Sequence, residues 1–220
     1  MNMTTLIKEP LQRVSGSGIR EFAQLAQARE GCISLTLGEP DFNTPDDIKG
    51  ALKRALDDNQ THYAPNAGYD SLRKAIADYE HQKGVFYKSD EVIVTIGATE
   101  ALFDALFAVI EPGDEVIVPV PAFGLYESII TMCGGKTVRL DTRNNGFQIE
   151  EEQLRTAYST RTKAVILNSP NNPTGTAYTE ETLTCLHEFF KDKPVFIICD
   201  EVYSQLAFGT RRSLASCEDL

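Results

Sequence analysis

Short apolar runs alternate with amphipathic segments over the second half of the chain. The runs are EVIVTI (91–96), EVIVPV (115–120), KTVRL (136–140), KAVILN (163–168) and PVFIICD (194–200). Nearly continuous apolar strands that alternate with helices are typical of a parallel sheet whose two faces are both covered. The pattern therefore predicts an α/β fold with a mostly parallel sheet.

Apolar residues recur at helical spacing between and before these runs. The spacing predicts helices near residues 17–29, 44–59, 69–83, 101–110, 125–132, 150–158 and 179–190, with a strand-like segment at 33–37. Gly84 is expected to end the third of these helices, because glycine is the preferred residue just beyond a helix.

The first 45 or so residues lie outside the alternating pattern, so we divide the chain into segments 1–45 and 46–220. The chain stops about 20 residues after its last apolar strand, with no closing helix. Since a parallel sheet needs cover on both faces, we expect the second segment to be an incomplete, truncated domain.

Charge narrows the class of protein. The 220 residues include 21 Lys and Arg against 32 Asp and Glu, for a net charge of −11, which argues against nucleic acid or an anionic membrane as a partner. No apolar run reaches the roughly 18 residues of a membrane span, and the first residues lack the layout of a signal peptide. We expect a cytoplasmic protein.

The cysteines and histidines suggest neither disulfides nor a metal. The cysteines are odd in number and form no C-x-x-C pair, which favours reduced, buried thiols. They are Cys32, Cys133, Cys185, Cys199 and Cys217. The three histidines show no metal-ligand spacing, so no metal is expected.

Ligands of parallel sheets gather at the carboxyl ends of the strands, and the first two such ends offer an anion site and an aromatic ring. Gly97-Ala98-Thr99-Glu100 opens a helix directly after a predicted strand, so backbone N–H groups and the Thr99 hydroxyl could hold a phosphate. The alternative is a tight turn capped by Thr99. Phe123 follows the next run and is either a stacking ring or a core residue.

The later strand ends supply an amide and a carboxylate. Segment 169–175 (SPNNPTG) places Asn172 between two prolines, where its amide could donate to a ligand oxygen. Asp200 ends a buried run, where a charge is costly without a partner, although a capping role is the alternative. Pyridoxal phosphate offers a phosphate, a flat ring, a phenolic oxygen and a ring nitrogen, and could contact all four places.

The motifs LTLGEPDF, HYAPNAGYDSLRKAI, TIGATEAL, LNSPNNPTG and CDEVYSQLAF together resemble the amino-terminal half of class I/II aminotransferases. These are fold type I pyridoxal phosphate enzymes of the aspartate aminotransferase superfamily, and the chain is most similar to their PatA-like bacterial branch. The resemblance implies that segment 1–45 is an arm with part of a small domain and that segment 46–220 belongs to a three-layer cofactor-binding large domain.

Several roles follow from the resemblance alone. It implies that the backbone of Ala98 and Thr99 holds the cofactor phosphate, that Phe123 stacks on the pyridine ring and that Asp200 pairs with the ring nitrogen. The family more often has Tyr at the stacking position, so Phe123 keeps the stacking face and loses a hydroxyl.

The resemblance also implies contacts to the cofactor's phenolic oxygen, to the substrate and to a second subunit. Asn172 and Tyr203 would hydrogen-bond the phenolic oxygen, Gly38 and Asn172 would contact the substrate, and Tyr63 would reach the phosphate of the neighbouring subunit in a homodimer. The resemblance further predicts cis peptide bonds at Asn172–Pro173 and Val120–Pro121.

Two motifs of the family are absent. Neither the Ser-x-Ser-Lys motif of the Schiff-base lysine nor the carboxylate-binding arginine motif is present, so no catalytic residue is assigned in this chain. The leading hypothesis is the cofactor-binding half of an enzyme that moves an amino group from an amino acid to a 2-oxo acid. A lyase of the same fold and a non-catalytic remnant or interaction module are the alternatives. A nucleotide-binding oxidoreductase is a third and weaker alternative, because the chain has a G-x-G but no strand precedes it.

Overall fold

The computed structural model describes residues 6–14, 18–36, 38, 42–208 and 212–216. Within these ranges the α-helices are α1 (Glu9–Arg13), α2 (Gly18–Gln27), α3 (Asp46–Asp57), α4 (Asp70–His81), α5 (Gly97–Val109), α6 (Leu125–Met132), α7 (Glu151–Ala157) and α8 (Glu180–Phe190). The strands are β1 (Glu115–Val120), β2 (Lys136–Asp141), β3 (Thr162–Asn168) and β4 (Phe196–Asp200). None of the described helices is long and apolar enough to cross a membrane.

The four strands form one parallel sheet in the order β2-β1-β3-β4. The two inner strands, β1 and β3, are buried along almost their whole length, which explains their continuous apolar sequences. Asn168 and Asp200 are paired in register at the carboxyl ends of β3 and β4. The predicted α/β class with a parallel sheet is confirmed.

Alternate residues of the strands pack on opposite faces of the sheet. Ile117 and Val165 belong to a core cluster with residues of α7 and α8. Val118 and Ile166, one position further along, belong to a second cluster with residues of α5 and α6. The sheet is therefore the middle of three layers, as a doubly covered parallel sheet requires.

Local signals explain the helix ends. Gly84 has a φ of +82°, a left-handed conformation that glycine adopts without a Cβ penalty, and α4 ends just before it. At the start of α8 the Thr179 hydroxyl accepts a hydrogen bond from the Thr182 N–H at 3.3 Å. This is the side-chain capping that free helix N–H groups need.

The predicted strand at 91–96 is wrong. Residues 89–91 form a 3-10 turn, and residues 92–96 are in neither a helix nor a strand. No described strand lies beside this segment to supply a hydrogen-bonded ladder, and Ile93 and Ile96 are 70% and 91% exposed. Apolar β-forming residues do not make a strand without a neighbour.

Two smaller predictions also need correction, and one helix was missed. Residues 33–35 of the strand-like segment are not in a strand, and residue 37 lies outside the described residues. Helix α1 was not predicted. Cys32 is exposed rather than buried, while Cys133, Cys185 and Cys199 are partly exposed; none of these four forms a disulfide, and Cys217 lies outside the described residues.

The chain divides into two compact units, one of residues 16–69 and the other of residues 1–15 with 70–220. The first contains α2 and α3, and the second contains the sheet with the remaining helices. The domain division at residue 45 stays a prediction.

Candidate functional site

A cavity of about 160 Å³ lies at the carboxyl ends of β3 and β4. It is lined by Ala98, Thr99, Leu102, Phe123, Tyr126, Asn168, Asn172, Asp200, Val202 and Tyr203. Six of these ten residues were singled out in the sequence, although they span more than 100 positions. Since parallel strands end at one edge, residues distant in sequence meet there.

The start of α5 forms one wall. Gly97 has a φ of +80°, which turns the chain from segment 92–96 into the helix, and Ala98 and Thr99 follow in the first turn. The Ile96 N–H donates to the Glu100 carboxylate, which satisfies one of the N–H groups at this end. The N–H groups of a first helical turn have no acceptor within the helix, so this wall can bind an anion.

Asp200 ends β4 with both carboxylate oxygens hydrogen-bonded. The Tyr126 hydroxyl donates to Oδ2 at 2.6 Å, and the Val202 N–H donates to Oδ1 at 3.3 Å. Burial, and after it the hydrogen bond to Asp200, raise the pKa of the Tyr126 hydroxyl well above its usual range. Tyr126 is therefore protonated and remains a donor across the whole physiological pH range.

An aromatic pair adjoins this carboxylate. The rings of Phe123 and Tyr126 meet edge to face, with centroids 5.7 Å apart and planes at 85°. Phe123 is half-buried, lines the cavity and also packs against the core cluster of α5 and α6. Phe123 therefore packs on the core at the border of the cavity, and its stacking on a cofactor stays a prediction.

A buried asparagine connects the 169–175 loop to the end of β4. Asn168, 3% exposed, donates through Nδ2 to the Asp200 carbonyl oxygen at 2.9 Å and accepts the Asn172 N–H on Oδ1 at 2.8 Å. Beyond it, the Asn172 amide donates to the Tyr203 hydroxyl at 3.4 Å. The polar pair expected to share one ligand oxygen therefore lies together on the cavity.

The cis peptide bonds predicted at Asn172–Pro173 and Val120–Pro121 are confirmed, and a third is found at Ser169–Pro170. The bonds at 169–170 and 172–173 lie in the loop that contains Asn172, and the bond at 120–121 lies between β1 and Phe123.

Two residues whose side chains hydrogen-bond Asp200, Tyr126 and Asn168, were not predicted from the sequence. The signal for Tyr126 was available, since it follows Phe123 by three positions at the start of a helix. Asn168 is a polar residue at the end of a buried strand, which is a second usable signal.

Gly38 and Tyr63 belong to the unit of residues 16–69, and both are exposed within it. Their predicted roles toward substrate and toward a neighbouring subunit stay predictions.

A larger cavity, of about 490 Å³, lies beside the outer edge of β4 near Tyr87, Phe196 and Leu214. None of the predicted site residues lines it. Size alone does not identify a site, so the smaller cavity, where the polar groups meet, is the stronger candidate.

The covered parallel sheet is that of a fold type I aminotransferase. The family model for aminotransferase class I and II matches residues 30–219, so the chain belongs to this family.

Named relatives agree with this class. The probable N-acetyl-LL-diaminopimelate aminotransferase of Bacillus subtilis is 42% identical over 94% of this chain and 53% of its own length. The probable aspartate aminotransferase of Methanocaldococcus jannaschii is 39% identical over 94% of this chain and 54% of its own.

The solved structure of the aspartate aminotransferase from Thermus thermophilus with maleate matches with a TM-score of 0.89 at 36% identity. The match covers 96% of this chain and 57% of that one. The chain thus spans about half the length of the curated relatives it matches.

Proposed function

We propose that this chain is the cofactor-binding half of a pyridoxal phosphate-dependent aminotransferase, which transfers an amino group from an amino acid to a 2-oxo acid. The observation that supports it most is the single cavity where a carboxylate, an amide and phenol pair, an aromatic ring and a helix start all lie. The names of the relatives support amino transfer as the reaction.

The residues present fit this cofactor. The start of α5 at Ala98 and Thr99 suits a phosphate, and the face of Phe123 suits a flat ring. The pair Asn172 and Tyr203 suits a phenolic oxygen, because each of the two side chains can donate a hydrogen bond. Bound pyridoxal phosphate supplies a pyridine ring that withdraws electrons from the substrate.

Asp200 has the central role among the chain's own groups. Each carboxylate oxygen has two acceptor positions and uses one in the hydrogen bonds described above, so the carboxylate can still accept an N–H from a ring nitrogen. Its negative charge would keep a proton on that nitrogen. Gly38 would offer its backbone to the substrate carboxylate, and Asn172 would contact the substrate as well.

Two further parts of the proposal concern assembly and location. We propose a homodimer in which Tyr63 reaches the phosphate bound by the neighbouring subunit, which is compatible with its fully exposed side chain. We also propose a cytoplasmic location, because an odd number of cysteines without a C-x-x-C pair is typical of reduced thiols.

Calorimetry tests the cofactor assignment. Pyridoxal phosphate should bind the 220-residue chain more tightly than pyridoxal, because pyridoxal lacks the phosphate that the start of α5 would hold. Equal affinity for the two compounds, or no binding of either, would overturn the assignment.

A chimera tests the reaction. The chain is joined to the part of the Bacillus subtilis relative that it does not cover, and amino acids including aspartate are supplied with 2-oxoglutarate. Amino transfer without release of ammonia is expected. Ammonia release would instead favour a lyase, and a correctly folded chimera that binds cofactor without any reaction would favour a non-catalytic remnant.

A further inference from the structure

We propose that Tyr126 is a positioning residue that orients the Asp200 carboxylate toward the ring nitrogen of the bound cofactor. This inference rests on the proposed function. It adds to that function a role for a side chain on another element. Tyr126 belongs to α6, and Asp200, which it contacts, ends β4, 74 positions later.

The contact has the geometry of a strong hydrogen bond. An O–H to carboxylate distance of 2.6 Å lies in the short range of charge-assisted bonds. Tyr126 is 2% exposed, so its hydroxyl has little access to water, and Asp200 provides its acceptor. If the Tyr126 hydroxyl did not pair with Asp200, it would be a buried donor without an acceptor. Because an unsatisfied buried donor is costly, the pairing is strongly favoured.

The position of Tyr126 is itself well determined. Its ring belongs to the core cluster of α5 and α6, together with Ile129 and Ile130 of its own helix. The ring also meets the ring of Phe123, the residue proposed to stack on the cofactor, edge to face. Tyr126 therefore contacts both Phe123, which would stack on the face of the cofactor ring, and Asp200, which would pair with the ring nitrogen.

The Val202 N–H holds the other carboxylate oxygen. With one donor on each oxygen, the carboxylate cannot rotate freely about its χ2 angle, yet each oxygen keeps an acceptor position. Removing the Tyr126 hydroxyl would release Oδ2 while leaving the Phe123 contact in place. The Tyr126→Phe substitution therefore tests the orienting role of the hydroxyl while the ring still fills the core.

The test compares pyridoxal phosphate with its 1-deaza analogue, in which carbon replaces the ring nitrogen. Wild type, Tyr126→Phe, Asp200→Asn and Tyr178→Phe are titrated with both compounds by calorimetry. Tyr178 is the matched control, because it is also a buried tyrosine but lies in the core cluster of α7 and α8 and does not line the cavity.

Wild type should prefer pyridoxal phosphate over the analogue by about tenfold or more, which corresponds to about 1.4 kcal/mol. Tyr126→Phe should lower this preference at least threefold, through weaker binding of pyridoxal phosphate and unchanged binding of the analogue. Tyr178→Phe should leave the preference unchanged. A merely structural effect would weaken both compounds equally.

The outcomes separate the two proposals. A wild type that does not discriminate, or an Asp200→Asn variant that discriminates as well as wild type, overturns the proposed function and this inference with it. A wild type that discriminates through Asp200, beside a Tyr126→Phe variant with the same preference, overturns this inference alone.

A second measurement needs neither cofactor nor the Tyr126→Phe variant. Asp200→Asn should shift the ¹³Cζ signal of one of the eight tyrosines in the NMR spectrum at neutral pH, because the hydrogen bond to a charged acceptor is lost. A spectrum in which Asp200→Asn moves no tyrosine signal would show that the contact is absent in solution and would overturn the inference.

Discussion

Asp200 and Phe123 line the same cavity, yet their proposed contributions differ in kind. Asp200 offers a charge whose two oxygens are already oriented by hydrogen bonds, whereas Phe123 offers a ring face beside Tyr126. Charge-assisted hydrogen bonds contribute about 1.5–3 kcal/mol, and aromatic pairs about 0.5–1.5 kcal/mol. The carboxylate should therefore matter more for cofactor binding.

We predict that Asp200→Ala weakens pyridoxal phosphate binding about 10- to 100-fold, and Phe123→Ala only about 2- to 10-fold. Isothermal titration of both variants and wild type measures the ranking, and circular dichroism checks that each is folded. Equal losses in the two variants, or a larger loss for Phe123→Ala, would contradict the prediction.

At the opposite end of the sheet, Glu115 is a buried carboxylate, 4% exposed, at the start of β1. Ser159 donates to it at 2.6 Å and the Arg161 guanidinium donates at 2.7 Å and 3.2 Å. Hydrogen bonds from Ser159 first, and then from Arg161, hold the pKa of Glu115 below its usual range.

A lowered pKa in the folded state means that the ionised form stabilises the fold. This contribution is fully present above the unfolded value of about 4.3 and is lost as the pH falls through the folded pKa. Glu115→Gln should therefore lower the free energy of unfolding by about 1–3 kcal/mol at pH 7, and by progressively less below about pH 4.

Urea unfolding across this pH range checks the prediction. Glu127→Gln is the matched control, because the pair between Glu127 and Arg139 is more exposed to solvent and should contribute less than about 1 kcal/mol. A cost for Glu115→Gln that does not change with pH, or that is no larger than the cost for Glu127→Gln, would argue against this account.

At the scale of elements, the first turn of α5 depends on one backbone conformation. Gly97 has a φ of +80°, and no atom lies within 4 Å of where a Cβ would be, so a side chain there meets strain from the backbone alone. Gly50, by contrast, lies inside α3, where a Cβ would approach only the flexible end of Arg54, at 3.3 Å.

The same substitution should consequently have opposite effects at the two glycines. Gly97→Ala should destabilise the fold by about 1 kcal/mol and weaken pyridoxal phosphate binding, since αL costs other residues about 1–2 kcal/mol. Gly50→Ala should stabilise its helix by about 0.5–1 kcal/mol. Thermal unfolding monitored by circular dichroism would show the loss of stability in Gly97→Ala and the gain in Gly50→Ala. Calorimetry would measure cofactor binding. Equal effects at the two positions would be incompatible with a special role for Gly97.

At the scale of the whole molecule, the proposed dimer shares each site between two subunits. A heterodimer of a Tyr63→Phe chain and an Asp200→Asn chain would contain one site with both substitutions and one with neither. Each heterodimer should therefore have one tight site of its two, so that random re-pairing of the two variants restores tight binding at about a quarter of all sites, as calorimetric stoichiometry would show.

Light scattering provides the accompanying check on association. A chain that is monomeric under conditions where it binds cofactor tightly, or a mixture that recovers no tight sites, would contradict the shared-site arrangement.

The proposed reaction also needs an amine that could bond to the cofactor. None of the described residues that line the cavity is a lysine, and the ten lysines of the chain lie outside the family's Ser-x-Ser-Lys context. We predict that the 220-residue chain alone does not transfer an amino group from aspartate to 2-oxoglutarate. Borohydride reduction in the presence of pyridoxal phosphate, followed by peptide mapping, should label no single lysine stoichiometrically.

A single labelled lysine together with measurable transfer would contradict this prediction, because the chain would then supply its own catalytic amine. Labelling spread over several exposed lysines would be compatible with it, since free pyridoxal phosphate reacts with accessible amines.

The sequence alone was sufficient to predict the main elements and six of the residues that line the cavity. Periodicity is a local property, so α4 and β3 could be placed within one or two residues. Asn172 and Asp200 could be grouped without coordinates, because parallel strands bring their carboxyl ends to one edge wherever they lie in the chain. Thr99 also lines the cavity, but the strand predicted before it does not form.

Only the tertiary structure could decide what depends on distant partners. Residues 92–96 have the composition of a strand but form none, because pairing requires a neighbouring strand that the described part of the chain does not provide. The hydrogen bond between Tyr126 and Asp200 joins residues 74 positions apart. Such contacts are set by how α6 packs on the sheet, and no local pattern specifies that packing.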